Sequence, residues 1–198
     1  MGTARRLHTV TTLRDGRVLI AGGFVCCVVE GNTASEVATA SAELFDPATG
    51  HFTPTGSLSV PRALHQATLL PDGRVLFSGG FGPTAPGGPG PERAEIYDPA
   101  TETFGPAGDL RSARFLHSAI LLTDGRVLVV GGVASPGDRA GVALTEIYDA
   151  GSNTWAPGPS LQAAWLGSTA TLLGSGKVLI HGGENGSGFP EPSTFLFE

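Results

Sequence analysis

The sequence predicts an all-β chain made of four consecutive copies of one antiparallel unit, and three observations predict it. The stretch His65-Gln-Ala-Thr-Leu-Leu-Pro-Asp-Gly-Arg-Val-Leu-Phe-Ser-Gly-Gly80 recurs closely at His8 to Gly23 and His117 to Gly132, and in degenerate form at Ser168 to Gly183. Its glycine pairs, Gly22-Gly23, Gly79-Gly80, Gly131-Gly132 and Gly182-Gly183, are spaced 57, 52 and 51 residues apart. A repeat period of roughly 50 residues belongs to arrays of small β-sheets. After each glycine pair, a variable segment leads into a second recurring motif that ends in an aromatic residue and an acid.

The first element of each unit is a β-hairpin. Two apolar runs flank a turn that reads Arg14-Asp15-Gly16, Pro71-Asp72-Gly73, Thr123-Asp124-Gly125 and Gly174-Ser175-Gly176. That turn puts glycine where a type I turn followed by a bulge needs positive φ, and Pro71 suits the fixed φ of its position. The third strand is Ala42-Glu-Leu-Phe-Asp46, Ala94-Glu-Ile-Tyr-Asp98, Thr145-Glu-Ile-Tyr-Asp149 or Thr194-Phe-Leu-Phe-Glu198. In the first three copies another aromatic, Phe52, Phe104 or Trp155, comes six residues after the acid and begins a fourth short strand. One four-stranded sheet cannot cover both of its apolar faces, so neighbouring units must stack. The runs from Val18, Val75, Val127 and Val178 accordingly read as strands buried on both sides.

Hairpin turn, diglycine, aromatic-acid pair and late aromatic, recurring at fixed offsets over nearly the whole chain, resemble the kelch repeat, and distantly the propeller of galactose oxidase-like proteins. The resemblance implies a kelch-type β-propeller, a single domain over 1–198 with blades over about 5–58, 59–110, 111–161 and 162–198. It also makes Gly22, Gly23, Gly79, Gly80, Gly131, Gly132, Gly182 and Gly183 structural. Copy four departs from the pattern, with Ser175-Gly176 in its turn and no aromatic of a fourth strand before Glu198. The expectation is a last blade of three strands. Three arrangements stay open: an arc of a larger ring, a closed four-blade ring, or two arcs that associate through exposed end blades. In an open arc the faces of Val18 to Ala21 and Val178 to His181 would be bare.

Composition bounds the partners. The 198 residues are 40% hydrophobic, with net charge −6 and 30 glycines, and the pI is near 5.3. No cluster of cations suits a nucleic acid or an anionic membrane. No run reaches the roughly 18 apolar residues of a membrane span, and Met1-Gly-Thr-Ala-Arg-Arg lacks the apolar core of a signal peptide. Localisation stays open between the cytoplasm and, had a leader been lost, secretion or the cell envelope.

The segments after the glycine pairs, Phe24 to Ser41, Phe81 to Arg93, Val133 to Leu144 and Glu184 to Ser193, differ in length and sequence and fall on one face. Loops of that kind on a fixed scaffold favour binding, although they also vary where nothing constrains them. The same face carries the first-strand entries Arg5-Arg-Leu-His8, Arg62-Ala-Leu-His65, Arg114-Phe-Leu-His117 and Trp165-Leu-Gly-Ser168. Arg5, His8, Arg62, His65, Arg114, His117 and Trp165 are therefore candidate ligand contacts for a protein, peptide or glycan, and a ring of arginine and histidine would suit an anion. The alternative is that they hydrogen-bond the connections between blades.

Other charges read as structural: Arg17, Arg74, Arg126 and Lys177 open each second strand and Asp46, Asp98, Asp149 and Glu198 close each third, so antiparallel pairing sets them side by side. Cys26-Cys27 suits a vicinal disulfide, a contribution to a metal site, or inert thiols. Kelch-type propellers include copper radical oxidases and sugar-modifying enzymes, the alternative reading of this chain. Yet Tyr97 and Tyr148 share their position with Phe45 and Phe197, which marks them as packing. His181, just before a diglycine, is the histidine off the repeat pattern and the best lone candidate for chemistry, with a satisfied core histidine as the favoured alternative, and no metal-spaced cluster, carboxylate dyad or nucleophile motif stands out. The sequence therefore favours a binding module that uses no metal or cofactor over an enzyme.

Overall fold

The computed structural model describes residues 1–30, 33–82, 92–137, 141–161, 166–184 and 194–197, with the side chains of 27–36 outside the description. Every regular element in it is a strand. Strand β1 (Arg5–Arg6) precedes the first unit, which comprises β2 (Thr9–Thr12), β3 (Val18–Ala21), β6 (Ala42–Asp46) and β7 (His51–Pro54), with β4 (Phe24–Glu30) and β5 (Thr33–Ala38) inserted. The second unit is β8 (Gln66–Leu69), β9 (Val75–Ser78), β10 (Arg93–Asp98) and β11 (Thr103–Asp109). The third is β12 (Ser118–Leu121), β13 (Val127–Val130), β14 (Glu146–Asp149) and β15 (Thr154–Pro157); the fourth is β16 (Thr169–Leu172), β17 (Val178–His181) and β18 (Thr194–Phe197). Each unit is one antiparallel meander, so the architecture is all-β, in sheets of three or four strands, compatible with a β-propeller.

Period-two alternation gives each sheet two faces with separate jobs. Register pairs Val18 with Phe45 and Leu19 with Leu44 in the first sheet, and Val75 with Tyr97 and Leu76 with Ile96 in the second. Leu19, Ala21 and Leu44 pack against Val75, Phe77 and Tyr97 of the next unit. Leu76 and Ile96 then pack against Val127, Val129 and Tyr148. Leu128 and Val130 in turn pack against Val178 and Ile180, with Phe195 and Phe197 alongside. A leucine-type face thus always meets a valine-and-aromatic face. The first strands of the units follow the same succession, β2 beside β8, β8 beside β12 and β12 beside β16. Among the described residues no comparable packing returns from β16 to β2.

The hairpins and the aromatic pairs form where the repeat predicts. Gly16, Gly73, Gly125 and Gly176 hold φ of 86–92° in the turns. Phe45 with Phe52, Tyr97 with Phe104 and Tyr148 with Trp155 bring ring centroids within 4.8–5.1 Å. One expectation is corrected: the segment after Gly23 is not an irregular loop, because β4 and β5 pair as a hairpin and β1 joins them in a three-stranded sheet. Its β-branched residues, Val25, Val28, Val29, Thr33 and Val37, favour that extended pairing.

Candidate functional site

Arg5, Arg62 and Arg114 occupy equivalent positions, and the structure places their guanidinium groups inside the molecule instead of around an open mouth. All three side chains are fully buried. Each reaches a buried carboxylate on the third strand of its own unit: Arg5 to Glu43 at 3.1 Å, Arg62 to Glu95 at 2.7 Å and Arg114 to Glu146 at 2.6 Å. A second guanidinium nitrogen donates to a diglycine carbonyl, that of Gly22, Gly79 or Gly131, and to the carbonyl of Ser41, Arg93 or Leu144. The carboxylates also accept backbone N–H groups from the segment entering the unit: Gly2 and Thr3 on Glu43, Ser59 on Glu95, Arg111 and Ser112 on Glu146. Burial lowers the pKa of Arg62 and Arg114, opposed by the paired carboxylates. Each arginine thereby ties diglycine, third strand and incoming chain together.

The glutamates carry a signal in the sequence, the second position of each third strand. Glu43, Glu95 and Glu146 recur, whereas the fourth unit has Phe195 at their position and Trp165 where the arginine stands, so both partners change together. Trp165 itself lies outside the described residues.

His65 and His117 are buried, and His8 half-buried. The Nε2 of His65 lies 2.8 Å from Thr9 Oγ1 and that of His117 lies 3.0 Å from Ser78 Oγ, so each histidine bonds the unit before it. Their Nδ1 atoms are buried without a partner. A bare lone pair costs less there than a stranded N–H, which assigns the Nε2–H tautomer, donating to the hydroxyl. Burial, then the nearby Arg62 and Arg114 charges, hold His65 and His117 down at about 3; burial and Arg5 lower His8. Both buried imidazoles sit against glycine. A Cβ on Gly22 would meet His65 Cε1 at 2.7 Å and the Arg62 carbonyl at 2.5 Å, and one on Gly79 would meet His117 Cε1 at 2.7 Å and the Arg114 carbonyl at 2.3 Å.

Outside these buried groups lies an apolar rim. Leu7, Leu64 and Leu116, each just before the histidine position, hold φ of 54–56°, and in the fourth unit Gly167 takes the equivalent conformation at 63°. Leu7 and Leu116 are 44% and 39% exposed. The Leu64 N–H donates to the Leu7 carbonyl, linking the first two units. Alongside run Phe24, Phe81 and Phe115, with centroids 5.9 and 5.6 Å apart, and the Arg6 guanidinium lies over the Phe24 ring.

On the hairpin-turn face the ion pairs differ from those expected. Arg74 and Arg126 do not reach Asp98 and Asp149; they fold back two residues onto Asp72 and Asp124 at 2.7 and 2.6 Å. Arg17 pairs with Asp15 and with Glu102 of the next unit. The turn carboxylate competes better because it already accepts the arginine's own backbone N–H. Asp46, Asp98 and Asp149 instead accept N–H groups of Ala48, Ala100 and Gly151 in their own turns. A cleft of about 620 Å³ on this face is lined by Asp72, Arg74, Asp124, Arg126 and Asp149, in which Arg74 pairs with Asp72 and Arg126 with Asp124 while Asp149 accepts N–H groups of its own turn.

Among the described residues no group of three His, Cys, Asp or Glu side chains is placed to hold a metal ion. Cys26 is disulfide-bonded. His181, expected in the core, is exposed and bonds Thr194 Oγ1 at 2.9 Å. The Tyr97 and Tyr148 rings are buried as packing groups, yet their hydroxyls are also satisfied, by Thr55 and Asn153. No protein-family model and no curated protein sequence matches the chain.

Proposed function

We propose that the chain forms four successive blades of a kelch-type β-propeller and works as a non-catalytic binding module, taking a protein, peptide or glycan on the face that carries the rim leucines and the variable segments. The observation that carries this reading is the set of leucines at left-handed φ. A non-glycine residue in that conformation costs about 1 kcal/mol or more, and the fourth unit uses glycine at the same place. The turn itself therefore does not need a leucine, and Leu7 and Leu116 are partly exposed to solvent. A strained apolar residue at three equivalent positions, exposed at two of them, is best explained by contact with something outside the fold. Phe24 and Phe81 extend that apolar surface, which favours a peptide with apolar side chains among the three ligand classes.

The buried groups support the same reading. His65 and His117 are neutral and bonded, and each arginine is committed to its glutamate. The test is selection from a displayed peptide library, followed by Leu64→Gly and Leu116→Gly. Selected peptides should lose at least tenfold in affinity, while stability stays within about 1 kcal/mol because glycine relieves the strain. Unchanged affinity would reject the site. Stoichiometric copper binding with peroxide released from an alcohol or aldehyde would replace the binding reading with an oxidase.

A further inference from the structure

On the hairpin-turn face, the junction between the first and second units and that between the second and third are built alike, with two side chains exchanged. At both, the residue before the turn aspartate lies over the turn glycine of the next unit: a Cβ on Gly73 would come within 3.2 Å of Arg14 Cδ, and one on Gly125 within 3.3 Å of Pro71 Cγ. In the first junction the Arg14 guanidinium also donates to the Pro71 carbonyl, and Arg17 Nη1 reaches Glu102 of the next unit at 2.6 Å. In the second junction Pro71 stands at the position of Arg14, and Asn153 at that of Glu102. Asn153 is taken up within its own unit, where it accepts the Tyr148 hydroxyl at 2.7 Å. One cation and one carboxylate present at the first junction are therefore both missing from the second.

The cleft opens accordingly. It holds about 300 Å³ at the first junction, where Arg14 and Asp98 both line it, and about 620 Å³ at the second, where Asp149 is the counterpart of Asp98. Two groups of the larger cleft match the missing pair. Arg74 bonds Asp72 through Nε and Nη2 and lies 3.5 Å from the Ala150 carbonyl, much as Arg17 lies against that of Pro99. Its Nη1, the atom that in Arg17 bonds Glu102, has no partner among the described residues. Asp149 accepts the N–H groups of Gly151 and Ser152 on Oδ1, and its Oδ2 has no partner among them either. Three carboxylates face two guanidinium groups in this cleft, which disfavours an anion that brings no cation of its own.

We propose that the cleft between the second and third units binds a small zwitterion of the arginine class, one that carries a carboxylate and a guanidinium together. The ligand carboxylate takes Arg74 Nη1, as Glu102 takes Arg17, and the ligand guanidinium takes Asp149 Oδ2, in the place that Arg14 fills beside Asp98 in the first junction. Both contacts are charge-assisted, and the planar fork of a guanidinium suits a carboxylate better than an ammonium does. This site lies apart from the leucine rim and does not rest on it.

Calorimetric titration of the 198-residue chain with L-arginine tests this, beside agmatine, which lacks the carboxylate, and norvaline, which lacks the guanidinium. Arginine should bind saturably at one site per chain, and each of the other two should bind about tenfold more weakly or less, since each forfeits one charged hydrogen bond. Pro71→Arg combined with Asn153→Glu restores the pair found at the first junction and should abolish arginine binding, with the strand signal in circular dichroism unchanged. Asp149→Asn keeps the Oδ1 acceptor of the turn and removes only the charge, so it should weaken arginine by about tenfold without loss of fold. Absence of saturable binding to the wild type would overturn the proposal, as would equal affinity for the three compounds, undiminished binding by the filled double variant, or an Asp149→Asn variant that binds like the wild type.

Discussion

Three arginine-glutamate pairs illustrate how one residue type can serve a fold while looking like a ligand site. A guanidinium offers five donors and no acceptor, and in each of the first three units it bonds a glutamate and at least two carbonyls. Removing one partner strands a buried charge, so Glu95→Ala or Arg62→Ala should cost about 3–5 kcal/mol in urea unfolding. The double replacement Arg62→Met with Glu95→Leu should recover part of that loss, as the paired change in the fourth unit suggests. Equal losses in the single and double variants would break the pairing argument. The histidines give a pH signature. His65 and His117 titrate near 3 when folded and near 6.5 when unfolded. As pH falls through that window the unfolded chain takes up protons that the folded chain refuses, so stability is full above about 6.5 and declines by about 1.4 kcal/mol per pH unit for each histidine. His117→Gln should remove about one proton's worth of that slope, and an unchanged slope would show that His117 is not buried in neutral form.

At the scale of strands, the repeat made most of the fold legible because local signals and stacking agree: a positive-φ glycine in each turn, apolar runs in the second strands, and an aromatic pair across the third and fourth strands of the first three units. Two things were not legible. The β4–β5 hairpin breaks the repeat, so no second copy supports it, and its pairing rests on β-branched residues alone. The partners of Arg74 and Arg126 depend on side-chain reach within the turn, which cross-strand register does not describe. The candidate site was half legible, since the sequence marks the entry positions Arg62 and His65 but not the partners that bury them, Glu95 in the same unit and Thr9 in the preceding one. The turn pairs are exposed and should matter little: Asp124→Ala should change stability by about 1 kcal/mol or less. Gly79→Ala, by contrast, collides with the next unit's carbonyl and imidazole at a positive φ, and should destabilise by more than any turn-pair variant. Chemical unfolding of the two variants side by side ranks them, and the reverse order would contradict this division.

Over the whole molecule, stability should be graded by how many neighbours a sheet has. Leu76, Leu128 and Leu179 stand at one strand position in successive units; the first two are sealed between sheets and the third faces outward. Truncation to alanine removes the same atoms each time, so the difference measures the covering sheet alone. Leu76→Ala and Leu128→Ala should each cost about 2–5 kcal/mol, while Leu179→Ala should cost about 1 kcal/mol or less under conditions where the chain is a single copy. Amide exchange should show the same gradient, slowest in β9 and β13, which are buried along their whole length, and fastest in β16. Because the principal packing among the described residues joins each unit to its sequence neighbours, opening can begin at the fourth sheet and stop there. Equal exchange rates in β13 and β16 would mean that the four units open as one, and that the outward face of the fourth sheet is covered in solution.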